Sequence, residues 1–562
     1  MMTKGIILMA ATALMPAAAF AQSAFDAYSL SQPDRNGSAR FMSMGGVFGA
    51  LGGDISALSQ NPAGIGIYRQ NDACITASLD HQSAKAMAQA VSNTTIQTKL
   101  QLNSLGGVAT FTLNDGACPN INFGISYNKA ASFNRRFSGR IPSLSKSLSN
   151  YVASMTTQED ATVGDLEIAD GYDPYNPDDG GYMPLWSSIL GYDSYLISPQ
   201  DNNNSTTWVG QWSNRTSGTG CFDMIEKGGI DECNIGLGGN ILDKIYWGFD
   251  VGVTFISYRL ESSWGEQLKN AYVDNRQGVA ADWDLHNYCR IHDKGGAIRL
   301  GVIYKPVQAL RLGFAIKTPT WYILKEEYKG LVNYAYTGEN ATDSGTALTN
   351  NGNTAHNTYR FRSPFTFTAS IAGVFGERLI LSADYEWTSY SSMGFSEYSN
   401  KDELDTDDPA YWQKSLAKQT RSSIDYDNPF RHTNYDIDRY FTSTSTYRVG
   451  AELRVTPRFS IRAGYSYVTS PVRSRVHDNQ EVVYTAGTRP QYITDKSTRY
   501  ITCGFGYRYK MLYVDAAYVH KSRKSVYHAY TPDLSAGSQS PQAAVTAGSG
   551  RGVLTPGLRF RL

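Results

Sequence analysis

The sequence predicts an all-β protein: a transmembrane antiparallel β-barrel of about fourteen strands with an N-terminal hatch, or plug, inside its lumen. Three observations predict it. Segments of about ten residues or more alternate apolar and polar with period two, which marks strands with one face of each kind. The joins between them are tight and long in turn, as periplasmic turns and extracellular loops are. The 562 residues include 38 Tyr, 22 Phe, 9 Trp and 52 Gly at only 18% charge, which suits many strands flanked by aromatic girdles.

Trp247, Phe249, Val251, Val253 and Phe255 alternate with Gly248, Asp250, Gly252 and Thr254. Leu310 to Lys317, Leu379 to Trp387, Tyr447 to Val455, Phe459 to Tyr467 and Ile501 to Tyr509 repeat the pattern. The polar face consists of glycine and full charges, which suits a lumen better than the surface of a soluble sandwich. Strands are expected near 70–81, 98–113, 120–133, 232–241, 244–263, 286–304, 308–326, 358–375, 378–390, 441–455, 458–469, 497–509, 511–522 and 552–562. The joins at 114–116, 242–243, 305–306, 376–377, 456–457 and 510 are tight, and the longest loop is expected near 134–231. An even strand count with short periplasmic turns puts both termini in the periplasm.

The chain begins with Lys4, an apolar run Ile6 to Leu14 and the small-x-small site Ala19-Phe20-Ala21. Residues 1–21 therefore read as a signal peptide, with the mature chain starting at Gln22. No later stretch of about 18 apolar residues exists, so no transmembrane helix is expected. A net charge of zero gives no electrostatic case for nucleic acid. Six cysteines stand in no C-x-x-C spacing, so neither a metal nor a redox site is expected. Cys221 and Cys233, close together in one polar segment, are the candidates for a disulfide.

Residues 22–69 are the expected hatch and 70–562 the barrel. Eight strands are filled by side chains and sixteen leave a water channel, so about fourteen leave a hole of intermediate width. Ser38 to Gly66 is rich in glycine, including Gly45 and Gly46, and carries only Arg40 and Asp54 as charges. Asp54 is expected to cap a short helix from Ile55 to Gln60. Asn61-Pro62 ends that helix, because the residue before proline is pushed from the α region.

Ala39-Arg40, Met44-Gly45-Gly46, Asp54 and Asn61-Pro62-Ala63-Gly64 follow in that order after a signal and before an alternating barrel. They resemble the long-chain fatty acid transporter family of outer membranes (FadL, TodX and relatives). Gly301 to Pro306, Leu310 to Gly313, Lys317 to Thr320 and Ser382 to Tyr385 resemble its middle section. The resemblance implies an outer membrane location and passive uptake of a hydrophobic small molecule. That molecule would be captured in an outer groove, pass to a lumen pocket gated by the hatch, and leave sideways into the bilayer. Expected partners are that ligand, outer membrane lipids and the barrel assembly machinery, and the barrel is expected to be a monomer without a cofactor. The third strand holds Gly124 but no proline, so no kink is placed, and the chain ends on Leu562 rather than an aromatic residue.

On the lumen face, Arg299, Asp384, Glu386, Arg448, Glu452 and Arg462 are expected to pair with one another and with Arg40 and Asp54, holding the hatch. Arg311 and Lys317, two cations on one face of one strand, are the candidates for a ligand head group. Near 142–156, Leu144, Leu148, Tyr151, Val152 and Met155 form a helical apolar stripe. With Tyr182, Met183, Leu185, Trp186, Ile189 and Leu190 it could wall a capture groove. The acidic runs Asp173 to Asp179 and Asp402 to Asp408 read as solvated turns. No G-x-S-x-G or H-E-x-x-H occurs, so an enzyme such as a barrel lipase is not expected. An adhesin that uses the long loops is the alternative binding reading.

Overall fold

The computed structural model describes residues 22–34, 36–113, 116–167, 185–201, 205–339, 341–376, 378–398, 428–531 and 540–560. The signal peptide, both acidic runs, Tyr182, Met183 and Leu562 lie outside the described residues.

The alternating segments close into one ring. In chain order its members are β1 (Asn71–Ala88), β2 (Val91–Thr112), β3 (Asn120–Ser132), β4 (Ser217–Ile241) and β5 (Ile245–Val273). Then come β6 (Arg276–Val307), β7 (Leu310–Lys317), β8 (Phe365–Phe375), β9 (Leu379–Ser389) and β10 (Ser443–Arg454). The last are β11 (Phe459–Val468), β12 (Tyr492–Tyr509), β13 (Leu512–His528) and β14 (Gln542–Phe560). Each pairs antiparallel with the next. Then β14 returns to β1, with Phe560 opposite Asn71 and Ala547 opposite Ala84. This is the fourteen-stranded antiparallel barrel that the alternation predicts. Closure leaves no free edge, which lipid demands because no water satisfies a bare strand there.

The two faces are as the pattern requires. On β5, Phe249, Val251, Val253 and Phe255 are exposed to the outside, and Asp250 and Gly252 are buried. Several strands rise well past the apolar band at the end where the long connections lie. β5 and β6 run 29 and 32 residues. The segment Trp321–Gly338 carries the wall above β7, pairing with β6, and Ala355–Arg362 stands beside it.

Two expectations are corrected here. The span 134–231 is not one loop. Its first part is a strand, Arg135–Ile141, that pairs with Gly220 to Glu226 of β4, which itself starts at Ser217 rather than near 232. Cys221 and Cys233 therefore sit on one strand. They are twelve residues apart, roughly 40 Å at about 3.3 Å per residue, and both are free thiols. Closeness in sequence is distance in space once a segment is extended.

Residues 22–69 pack against the inner wall. α1 (Ala24–Leu30) is followed by α2 (Ala39–Ser43) and by 3-10 turns at Ile55–Ser59 and Pro62–Ile67. α1 starts with a capping box: Asp26 N–H donates to Ser23 Oγ at 3.2 Å, and Ser23 N–H donates to Asp26 Oδ2 at 2.8 Å. α2 ends on Gly45 and Gly46, whose φ of +70° and +73° only glycine adopts without strain. Asp54 caps the next turn, accepting from Ser56 N–H at 3.0 Å; that turn is 3-10 rather than α. The chain enters high and descends. Gln22 donates to Glu326, high on the segment above β7, whereas Gly49 meets Asp384, near the tight turn before β9. The start of the described chain thus lies towards the long connections, not at the short-turn end where it was expected.

Candidate functional site

The lumen face holds the N-terminal segment by two devices, which are the glycines and charges seen in its sequence. The glycines give room. A Cβ at Gly464 would stand 2.3 Å from the Met44 carbonyl carbon, and one at Gly313 would stand 2.2 Å from the Gly49 oxygen. The charges give grip. Arg40 Nε donates to Glu452 Oε2 at 2.9 Å, and Arg462 reaches the same oxygen at 2.7 Å and Asp515 at 2.6 Å. Gly49 N–H and Gln60 Nε2 donate to Asp384 Oδ2 at 3.2 and 2.8 Å. Arg448 lies 2.7 Å from Glu386 and 3.9 Å from Asp384. Asp54 accepts from Ser38 Oγ at 2.6 Å. Asn61 Nδ2 donates to Gly49 O at 2.6 Å, and its Oδ1 accepts from Ala63 N–H at 3.1 Å. Pro62 and Gly64 are buried in the turn that follows, Pro62 against Gly248 of β5 and Gly64 against Gly52.

Arg299 stands higher, fully buried, with Asp250 and Asn234 at 2.6 and 2.7 Å and Glu232 as a third partner. The two head-group candidates separate here. Arg311 donates to Leu51 O at 2.8 Å and borders a cavity of about 470 Å³ at the short-turn end. Lys317 lies opposite Arg299 on β6, and Glu232, Glu386 and Asp250 are among the charges acting on it. Its ammonium makes no direct ion pair or hydrogen bond among the described residues.

Three small cavities adjoin one another above the segment's lower part. The outermost, about 40 Å³, lies between α3 (Leu148–Gln158), α5 (Trp186–Asp193) and residues 484–490. α4 (Val163–Leu166) packs near α5. Leu148, Tyr151, Val152, Met155 and Leu190 line the cavity, and Trp186 is buried beside it without lining it. It has room for only a few waters, so a long hydrocarbon chain enters only if α3 and α5 part from 484–490. Thr485 also borders the second cavity, about 40 Å³, which runs along Phe25 and Tyr28 of α1. Ser29, Gln32, Arg135 and Glu226 border both that cavity and a third of about 100 Å³.

The third cavity faces a flaw in the wall. β2 and β3 pair only up to Ser104 opposite Asn128. Above that point β2 pairs with β1 alone, through Val91 opposite Ala88. Side chains bridge the seam: Asn93 Nδ2 donates to Ser138 Oγ at 2.7 Å, and Lys99 Nζ to Asn134 at 3.2 Å. Opposite the seam, β3 slips register against β4 between Lys129 and Ala131, beside Gly228, whose φ is +110°. A Cβ at Gly228 would stand 2.0 Å from Ser257 O, so the bulge requires glycine. The signal for this seam was therefore in Lys227-Gly228-Gly229 of the neighbouring strand, not in a proline of β3.

A family model described as outer membrane protein transport protein (OMPP1/FadL/TodX) matches residues 236–552. The chain belongs to the OMPP1/FadL/TodX family. Solved structures are similar to this chain at low identity. A Pseudomonas aeruginosa FadL homologue is 13% identical, with 94% of this chain and 100% of that one covered and a TM-score of 0.53. The toluene transporter TodX of Pseudomonas putida is 13% identical over 94% and 100%, with a TM-score of 0.46. No curated protein matches. Family membership places this chain in the outer membrane as a transport protein.

The outer cavity carries a titratable latch. Glu159, at the end of α3, accepts from Leu185 N–H at 3.3 Å and Ser188 Oγ at 3.2 Å, the start of α5. Burial pushes its carboxyl up to about 7, against which these donors pull. The folded form therefore holds a proton between the ordinary carboxylate value and about 7, so packing of α3 on α5 tightens as pH falls through that window. Hydrogen exchange of residues 186–193 is expected to slow from pH 8 to pH 5.5, after correction for intrinsic rates. Glu159→Gln is expected to be slow at both.

Proposed function

We propose that this chain is a passive channel for hydrophobic small molecules such as long-chain fatty acids. The ligand is captured between α3, α5 and residues 484–490, moves past α1 and leaves through the β2–β3 seam into the bilayer. The observation that carries this reading is the succession of three adjoining cavities from the outer helices to that seam. Their small volumes describe a closed state. Arg489 forks onto Asp26 of α1 at 2.7 and 2.9 Å and stands in the segment that walls the outer cavity. Parting that wall would therefore pull α1, so capture and hatch movement are one event. Lys317 is the proposed head-group contact; Arg311 is committed to the hatch loop. Residues 22–69 act as the gate in this reading.

The test joins the seam covalently. Asn93→Cys/Ser138→Cys, with the native cysteines replaced by serine, is oxidised in lipid vesicles and fatty acid entry is timed. Entry is expected to fall to the level of vesicles without protein and to recover on reduction. Unchanged entry would refute exit through the seam. An adhesin would show no protein-dependent fatty acid entry for the bond to abolish.

A further inference from the structure

Above the apolar band, the outer wall of β4, β5, β6 and the segment over β7 turns basic within one step. On β5 the outward positions Ile245 to Phe255 are all apolar, and the next are Ser257 and Arg259. Eleven residues are the length a tilted strand needs to cross the hydrocarbon. On β6 the outward series Tyr304, Val302, Leu300, Ile298 and Gly296 gives way to Lys294, His292 and Arg290. The cations therefore begin where the head groups of the outer leaflet lie.

Their register is unusual. Lys227 of β4 is directly opposite Arg259, and Arg259 is directly opposite Arg290. One row lower, Lys325 faces His292, and Lys294 lies below that. Neighbouring strands hold such side chains about 5 Å apart, and like charges placed so repel. The carboxylates nearby offset only half. Glu261 lies 3.6 Å from Lys227, Glu327 lies 3.2 Å from Arg290, and Asp293 lies 3.5 Å from Lys325. Arg259, Lys294 and Lys329 have no carboxylate partner among the described residues, and Arg259 and Lys294 are exposed. A row of like charges kept at the bilayer surface calls for an anion shared between strands. Arginine forks suit phosphate, and the adjoining apolar band suits acyl chains.

We propose that this face is a binding site for a phosphorylated glycolipid of the outer leaflet, whose phosphates are held by Arg259 and Arg290 in one row and by Lys294 about 13 Å lower, while its chains lie on Val253, Phe255 and Ile298. The clamping residues stand on β5 and β6, beyond β4 and its Gly228 bulge, so the site rests on membership in an outer membrane family and not on the proposed route. Its effect is to fix the height of the barrel in the bilayer and to hold the tall β4–β6 wall upright.

The experiment compares the folded protein with Arg259→Gln/Arg290→Gln/Lys294→Gln in nanodiscs, titrated with a diphosphorylated glycolipid and read by native mass spectrometry. About one kcal/mol per cation predicts that the triple variant binds roughly a hundredfold more weakly. The dephosphorylated glycolipid, with the same chains, is expected to bind the wild type as weakly as the variant binds the parent lipid. Millimolar inorganic phosphate is expected not to displace it. Equal affinity of variant and wild type overturns the proposal, as does equal affinity for the dephosphorylated lipid. Displacement by inorganic phosphate overturns the lipid as the occupant. Arg259→Lys/Arg290→Lys keeps the charge and is expected to stay within tenfold of the wild type, which separates lost recognition from a damaged wall.

Discussion

Gly464→Val is expected to unseat the N-terminal segment and make the barrel leak, without any change in the segment itself. The Cβ that valine adds would stand 2.3 Å from the Met44 carbonyl carbon and 2.4 Å from the Gly45 nitrogen. Both are backbone atoms, so no rotamer change relieves the clash. Gly45 cannot retreat easily, because its own φ of +70° is fixed by the turn and it already lies close to the Tyr465 backbone. Overpacking of this kind costs about 1–3 kcal/mol, which shifts an open-to-closed ratio by roughly five- to hundredfold. Entry of a small hydrophilic dye into vesicles, negligible for the wild type, is expected to rise by that factor. Heat-modified migration on a gel checks that the barrel itself has formed. A folded variant as tight as the wild type would show that residues 44–46 do not close the lumen.

Arg299→Met is expected to lower stability by about 3–5 kcal/mol in denaturant titrations of the detergent-solubilised barrel. Arg299, Asp250 and Glu232 are each almost wholly buried, and the arginine is the cation shared by both acids. Its removal leaves two carboxylates facing each other and Lys317, out of reach of bulk water. The loss comes from stranded charge rather than from the bond alone. The combined variant Arg299→Met/Glu232→Gln/Asp250→Asn is therefore expected to recover most of it. Equal stability of the single and combined variants would mean that the site is hydrated and the charges are screened.

The barrel was legible because its signal is repeated. Fourteen alternating segments and their joins each vote on one architecture, and a membrane wall admits only a closed ring. Element ends were less legible. β4 continues to Ser217 because Phe222 and Glu226 face inward, Phe222 against Tyr527 of β13, some three hundred residues on, and Glu226 against Tyr258 of the neighbouring β5. The same long-range pairing undid the cysteine expectation. Within the site, Leu148, Tyr151 and Met155 could be read from a helical stripe. Their counterpart, Thr485 to Pro490, has no periodicity and is placed only by Asn287 and Tyr328 of the opposite wall, which bond Thr488. α1 was missed although Ser23-x-x-Asp26 spells a capping box, and it proves to stand between the cavities. Arg311 and Lys317 share a strand face but not a neighbourhood: six residues of rise separate a contact with Leu51 from the buried acids around Arg299.

Covalent labelling reads the path of the ligand through the barrel. A fatty acid carrying a photoreactive diazirine at its chain end is added to the protein in membranes, illuminated, and mapped by peptide mass spectrometry. Label is expected on residues 148–155 and 485–490, on 25–32, and on 95–97 with 133–136 beside the seam. Label confined to residues lining the short-turn cavity, Arg311, Arg378 and Arg454 among them, would mean that ligand passes beneath the segment and through the barrel mouth, and would rule out exit through the seam.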